Sequence, residues 1–474
     1  MKRGWLIVLA LGLGAFSGCS VHDRTAPGAM AEQAVDLREA GDTTLRPEVD
    51  WWLFLEDDTL NTLVETALEE NPTLDRAAAN VRKAEALLGA QKAADLPGVN
   101  LTGSAGRART EGFMAGISNS WNLSAAASYE LDLWGGRQAL ENQRALDREA
   151  SLASLSEALV TVSAQVADTW YLRLERQVQL DLSEERVAMR RELLEMIEWR
   201  YGQGTATARD VYDTRTELAV DEVTLARYRT DVAVADHALS ALLNRKPGGL
   251  EAVIPGISGK PLPTMAPLSQ EPLSSRLILG RPDMVRAMLD VMKADEAVAV
   301  SLADRFPTFS LTAGYGRAGD GWEAGSNSGT VWNIGGELLA PLIDWGRRKS
   351  LVEADRAAFD DAVARYRTTA LTAFTEAADA LTRCRNGERE DARLKESLDA
   401  SSATTAYVTS RYLEGASDYL TLMIARIAEN EARSRLATSR RLLLSNRIGL
   451  ARALGGSFSD TWVETYVTTH RETE

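Results

Sequence analysis

The sequence predicts a mainly α chain with four β-strands, folded as two repeats of one unit. Three observations carry that reading. Proline and glycine vanish from two long regions, the hydrophobic period switches from helical to two at four places, and residues recur at an offset of 210 to 211. Hydrophobic residues at 45% and charged residues at 26% supply a core and exclude a disordered chain, a collagen and a polytopic helical membrane protein. Lys+Arg 53 against Asp+Glu 68 gives a net charge of -15, which sets nucleic acid aside as a partner.

The chain opens with an export signal. Lys2 and Arg3 form a basic start, Leu6 to Phe16 is apolar, and Ser17 and Gly18 are small. The apolar run is too short to span a bilayer as a helix. Ala15-Phe16-Ser17-Gly18-Cys19 resembles the lipobox of bacterial lipoproteins, in which this cysteine is acylated and becomes the first mature residue. The alternative is an ordinary signal followed by a chance cysteine. Ser20 stands where inner-membrane lipoproteins often carry Asp, so the resemblance favours the outer membrane. Cys384 then has no partner, and is expected as a buried thiol outside any disulfide.

Next come the helices. No proline lies between Pro97 and Pro247 or after Pro341, and proline is the most reliable helix breaker. Glycine is missing between Gly136 and Gly202 and between Gly204 and Gly248, and only Gly387 falls between Gly346 and Gly415. Each region therefore reads as long helix, short break, return helix, with Gln138 to Arg200 running about 95 Å and Thr207 to Asn244 about 55 Å at 1.5 Å per residue. Leu152, Leu155, Leu159, Val162 and Val166 recur at three and four, a seam of coiled-coil type between closely packed helices. Several ordinary helices in a globular domain would show the same spacing.

The two regions are copies. Asn71-Pro72 matches Arg281-Pro282 and Pro97 matches Pro307 at 210; Trp121-Asn122 matches Trp332-Asn333, Trp134-Gly135 matches Trp345-Gly346, and Arg200-Tyr201 with Gly204 matches Arg411-Tyr412 with Gly415 at 211. Six of the thirteen prolines lie from 247 to 272, which makes that stretch the linker between the units.

Each unit carries two strands. Trp121, Leu123, Ala125, Ala127, Tyr129 and Leu131 alternate with polar or small residues, with Val99 to Arg107 as the partner strand. Phe309, Leu311, Ala313 and Tyr315 repeat the pattern, followed after a Gly-rich loop by Trp332, Ile334, Leu338 and Ala340. Strands of about ten residues cross a membrane at a tilt. Four strands cannot close a barrel, and open edges cannot face lipid. Either the strands are soluble, or several chains share one barrel. Three chains would supply twelve strands, with Trp121, Tyr129, Tyr315 and Trp332 as candidates for the interfacial aromatic belts.

Several segments together resemble a known family. Trp51-Trp52-Leu53-Phe54 leading to Asp58-Thr59-Leu60-Asn61, then Ala67 to Pro72, is similar to the opening of outer-membrane efflux lipoproteins of the TolC/OprM type. Arg281-Pro282-Asp283, Tyr419-Leu420-Thr421-Leu422 and Ala453-Leu454-Gly455-Gly456 resemble further segments of that family, and the match covers nearly the whole mature chain. The resemblance implies a homotrimeric duct: a twelve-stranded barrel in the outer membrane, continued by a helical tunnel through the periplasm. It also implies a periplasmic adaptor and an inner-membrane pump of the resistance-nodulation-division class as partners. The implied organisation is a signal peptide at 1–18, an N-terminal and equatorial segment at 19–70, a first repeat at 71–246, a linker and equatorial segment at 247–280, a second repeat at 281–456 and a tail at 457–474. The hairpins fall at about 99–131 and 308–340 and the long helical pairs at 137–245 and 347–454.

The resemblance makes Arg200, Tyr201, Gly204, Arg411, Tyr412 and Gly415 the tip that meets the adaptor. Just inside it, side chains that converge on the duct axis would close the gate: Asp210 and Asp213 on one return helix, Asp418, Leu420 and Arg426 on the other, with ion pairs between helices acting as releasable pins. Relatives of the OprM type place an aspartate four residues after the leucine corresponding to Leu420, where this chain has Ile424. The constriction is then either more apolar or charged through Asp210, Asp213 and Asp418.

Other classes fit less well. GxxxxGK[ST], HExxH, CxxC and GxSxG are missing, the one GxGxxG, Gly314 to Gly319, lies inside a strand pattern and not at a strand-to-helix turn, the three histidines are scattered, and no cofactor, metal or catalytic residue is expected. A tethered periplasmic coiled-coil scaffold would need no membrane-length strands. The exit duct of a type I protein-secretion system keeps the fold, but the lipobox and Trp51-Trp52 favour efflux of drugs or small molecules.

Overall fold

The computed structural model describes residues 22, 50–110, 116–254, 256, 260–268, 278–321 and 327–456. Cys19, the signal segment and the tail at 457–474 lie outside the described residues. A short 3-10 turn at Trp51–Leu55 precedes helices α1 (Asp58–Glu70) and α2 (Pro72–Ala94). Strands β1 (Gly98–Thr110) and β2 (Gly116–Leu131) lead into α3 (Gly136–Gly202) and α4 (Ala208–Leu242), and a short α5 (Leu250–Val253) falls in the linker. The second unit repeats the series as α6 (Pro282–Ala303), β3 (Thr308–Gly319), β4 (Ser328–Leu339), α7 (Arg347–Leu413) and α8 (Tyr419–Ala453). α3 and α7 have 67 residues each, and α4 and α8 have 35 each. The two-repeat, mainly helical reading with four strands is what the structure shows.

The residues gather into two compact units that cut across the repeats. Among the described residues, one holds those from Asn80 to Ala153 and from Val285 to Thr369, the other those from Ser154 to Met284 and from Ala370 to Gly456 together with the helical stretch that ends at Ala79. The first unit contains the whole sheet, antiparallel in the order β1-β2-β3-β4. Its register puts Val99 opposite Ala127, Ala127 opposite Ala313 and Ala313 opposite Ile334. Directly paired residues share a face. Val99, Leu101, Trp121, Leu123, Tyr129, Leu131, Leu311, Tyr315, Trp332, Ile334 and Leu338 therefore share a mainly apolar face, which also carries Arg317 opposite Leu123 and Arg107 and Arg109 toward the hairpin loop, while Thr102, Ser124, Glu130, Thr312, Asn333 and Glu337 form a polar one. Trp121 and Tyr129 stand eight residues apart on β2. Tyr315 and Trp332 face each other at the level of Ala125, midway between them. Both β1 and β4 are edges, and β4 is exposed along its length.

Below the sheet, Trp134 stacks on Phe306, and Arg137 pairs with Asp95 at 3.0 Å. Lys293 with Asp147, and Arg148 with Glu85 at 3.3 Å, tie α6 and α2 to the first turns of α3.

In the second unit α3 is the common partner. The Trp51 indole donates to Ser163 at 3.1 Å, and Trp170 donates at 2.8 Å to Asp57, whose carboxylate also caps α1. Toward α4, Arg186 and Arg190 clamp the buried Asp221 at 2.9 and 3.1 Å, and Arg173 meets Asp236 at 3.0 Å. Toward α8, the buried Gln179 donates to the Ser434 carbonyl at 2.9 Å and Asn430 to that of Leu182 at 3.0 Å. Arg281 donates to the Ala453 carbonyl at 3.0 Å and pairs with Asp283 and Glu376, which locks the start of α6 to the end of α8. Cys384 is free and buried in α7, where burial pushes its thiol above the ordinary range.

Candidate functional site

The two helix pairs end in turns of one construction. In the first, the Arg200 carbonyl accepts from the Thr205 amide and that of Tyr201 from Gly204, both at 2.9 Å. In the second, Arg411 accepts from Ala416 at 2.8 Å and Tyr412 from Gly415 at 3.0 Å. These are Schellman closures, which need a left-handed residue just past the helix. Gly204 and Gly415 supply it at φ 71° and 73°, with open space around both. The recurrent Arg-Tyr therefore offers two carbonyls to the turn, while its side chains are available to other contacts.

Each return helix starts on a capping pair, and the two pairs are mirror versions of one another. Thr207 caps α4 by accepting from the Asp210 amide, while the Asp210 carboxylate accepts from the Thr207 amide and hydroxyl at 2.8 Å. At the repeat-equivalent positions, Asp418 caps α8 and accepts from the Thr421 amide at 2.9 Å. Both turns thus keep one carboxylate, although Thr and Asp have exchanged places. The Thr207 hydrogen bonds hold the Asp210 carboxyl below its ordinary value, and Thr421 does the same for Asp418, with the Arg200 charge acting on both.

A small core lies behind the turns. Leu193 and Ile197 of α3, Val211 of α4, and Met423 and Ile427 of α8 are buried together, with Leu420 and Tyr419 packed against them. The Tyr419 hydroxyl donates to Glu192 at 2.8 Å, which raises its phenol pKa, and its ring lies 5.6 Å from that of Tyr412. Arg200 stands 4.0 Å from Asp418. The start of α8 is therefore fastened to the end of α3 at two points.

Of the residues expected at the gate, Asp418 and Leu420 lie together at the start of α8, where Asp418 stands near Arg200 of the expected tip and Tyr419, between them, lies beside Tyr412. Asp213 pairs with Arg209 along its own helix at 3.3 Å, and Asp210 is engaged in its cap. In the single chain these two carboxylates are thus bound within α4 and its cap, and Ile424 is 56% exposed. Arg426 acts on Tyr419 through its charge. Sequence reasoning missed Tyr419 as an anchor, although it lies in a segment singled out above, and it missed Glu192, one acid among many on a long helix.

A family model described as outer membrane efflux protein matches residues 63–245 and 273–456. The toluene efflux pump outer membrane protein TtgF of Pseudomonas putida is 30% identical over 469 residues, covering 94% of this chain and 95% of that protein. The solvent efflux pump outer membrane protein SrpC of Pseudomonas putida is 29% identical over 417 residues, covering 86% of this chain and 87% of that one. Among solved structures, a membrane protein from Pseudomonas aeruginosa aligns with a TM-score of 0.79 at 24% identity, over 93% of this chain and 98% of the other.

Proposed function

This chain belongs to the outer membrane efflux protein family and resides in the outer membrane, and from that premise we propose that it acts as a homotrimeric exit duct in a tripartite efflux system. The observation that carries the reading is the sheet: one mainly apolar face, interrupted by Arg317 and, toward the hairpin loop, by Arg107 and Arg109, one mainly polar face, and two open edges. Unsatisfied backbone groups at a lipid-exposed edge cost several kcal/mol each. Three copies joined edge to edge leave none, and turn the polar faces toward a lumen. In this barrel Trp121 and Tyr129 mark the two membrane interfaces, with Tyr315 and Trp332 on the lipid face between them, and acylated Cys19 adds a lipid anchor.

The helical pairs continue the duct into the periplasm. Their turns, at Arg200, Tyr201 and Gly204 and at Arg411, Tyr412 and Gly415, present the surface that a periplasmic adaptor meets, and an inner-membrane pump of the resistance-nodulation-division class drives the flow. The gate is built from Asp210, Asp213, Asp418, Leu420, Ile424 and Arg426. Two relatives are named for toluene and solvent efflux, so small apolar molecules and drugs are the proposed cargo of this duct as well. A passive duct leaves the choice among them to its pump.

Conductance of the purified protein in planar bilayers tests this, together with its native mass. Small, rare openings that enlarge in the Asp210→Ala/Asp213→Ala/Arg426→Ala variant are expected. Openings unchanged by the substitutions would place the closure at the apolar ring around Ile424. A folded trimer that conducts nothing would overturn the duct.

A further inference from the structure

At the base of the sheet, one contact crosses from the first repeat to the second. Trp134, just after β2, lays its indole on Phe306 with ring centroids 4.7 Å apart and planes at 25°, and its Nε1 donates to the Pro307 carbonyl at 2.7 Å. Proline has no N–H to give to a strand ladder, so Pro307 halts pairing just before β3 and leaves its carbonyl to the indole. Every member of this contact has a repeat counterpart. Trp345 corresponds to Trp134 and follows β4; Leu96 and Pro97 correspond to Phe306 and Pro307 and lead into β1.

These counterparts stand apart in the single chain. Trp345 is 96% exposed and Leu96 is 66% exposed. They sit at opposite edges of the sheet, with β2 and β3 between them. Trp345 also holds a left-handed backbone at φ 54°, rare for so bulky a residue and uncompensated by packing in its own chain.

We propose that Trp345 closes onto Leu96 and Pro97 of a second copy of this chain, reproducing between protomers the contact that Trp134 makes within one. The inference rests on the trimeric duct proposed above. The operation that carries the first repeat onto the second, applied once more, carries the second onto the first repeat of the next copy, and a head-to-tail contact of this kind closes into a ring. Leu96 receives the apolar face of the indole, and the Pro97 carbonyl receives its N–H. Moving the β2–β3 register by the same offsets sets Leu338 opposite Gly103 and Leu342 opposite Val99 of the neighbour at the base of the joint, while Ile334 and Trp332 fall opposite Arg107 and Arg109 toward the hairpin loops. β4 stops at Leu339 within one chain, and β2, its counterpart, runs on to Leu131, the equivalent of Leu342. Pro341, which has no N–H to give, ends the ladder in β4 just past Leu339, so below it the joint is made by side chains.

The test is photo-crosslinking of the full-length protein in native outer membranes, with Trp345→p-benzoylphenylalanine. Irradiation is expected to give covalent dimers and trimers on a denaturing gel, with the adduct mapped by mass spectrometry to the peptide containing Leu96 and Pro97. Trp134→p-benzoylphenylalanine serves as the internal control and should label the Phe306–Pro307 peptide within a monomer band. Adducts of position 345 to lipid, to its own chain or elsewhere on the neighbour, from a preparation of trimeric native mass, would overturn the joint and leave the trimer standing. A native mass other than a trimer would overturn the reading beneath it.

Discussion

At the residue scale the turns of the helical pairs are governed by a few side chains with local duties. Gly204 and Gly415 hold φ values that L-residues reach only at a cost, and nothing crowds them, so Gly204→Ala or Gly415→Ala costs about 1 kcal/mol through the backbone alone. The check is the denaturant midpoint of each variant. Asp210 and Asp418 titrate below their ordinary 3.8 because their caps donate to the charged form. A carboxylate with a depressed folded pKa stabilises above its unfolded pKa, and that contribution is lost as pH falls through the folded value. Asp210→Asn/Asp418→Asn should therefore lower the unfolding midpoint at pH 7, with the difference from wild type vanishing as the pH drops below the carboxylate range; a gap that persists in acid would refute the assignment. The glycines were legible in sequence because their signals lie within one turn, whereas Asp210 and Asp418 were read as gate carboxylates and their capping bonds came from the structure. The Tyr419–Glu192 bond was not legible, since the two residues are 227 apart.

At the element scale α3 is tied by buried polar contacts to α4 on one side and to α8 on another. Asp221, only 7% exposed, answers two arginines on α3. Removing it takes that counter-charge from Arg186 and leaves Arg190 to the exposed Glu217. Asp221→Ala is therefore expected to cost about 3 kcal/mol, measured by urea unfolding. The neighbouring Glu222 pairs separately with Arg191 at 2.7 Å on the exposed side, so Glu222→Ala is the control and should move the midpoint little. The Asn430 and Gln179 bonds set the register of α8 against α3 in the same way. Asn430→Leu leaves the Leu182 carbonyl without that donor and should cost about 1 to 3 kcal/mol by the same measurement. Proline and glycine gaps in the sequence located the long helices to within about two residues, because those residues break helices wherever they fall. Strand bounds were less legible. β2 begins at Gly116, five residues before Trp121, and β1 runs on to Thr110, through Gly, Ser, Arg and Asn positions whose strand character comes only from their pairing.

At the scale of the whole molecule, the sheet gathers both hairpins, one from each repeat, and leaves two edges. Export and anchoring belong to this scale too. Labelled palmitate should enter the wild-type protein and be lost from Cys19→Ala, while the barrel keeps the variant in the outer membrane fraction. Label retained by Cys19→Ala would refute the anchor, and a variant released to the soluble periplasm would refute an independent barrel.

The sequence by itself determined the two repeats, the long helices, the turns between them and the alternation of the strands, all of which rest on residue types and spacings that act within a few positions along the chain. Only the tertiary structure decided that α3 binds both α4 and α8, that Tyr419 fastens on Glu192, and that the residues gather into units cutting across the repeats. Those outcomes depend on which faces of long helices pack together, and that choice is made by side chains separated by up to hundreds of residues.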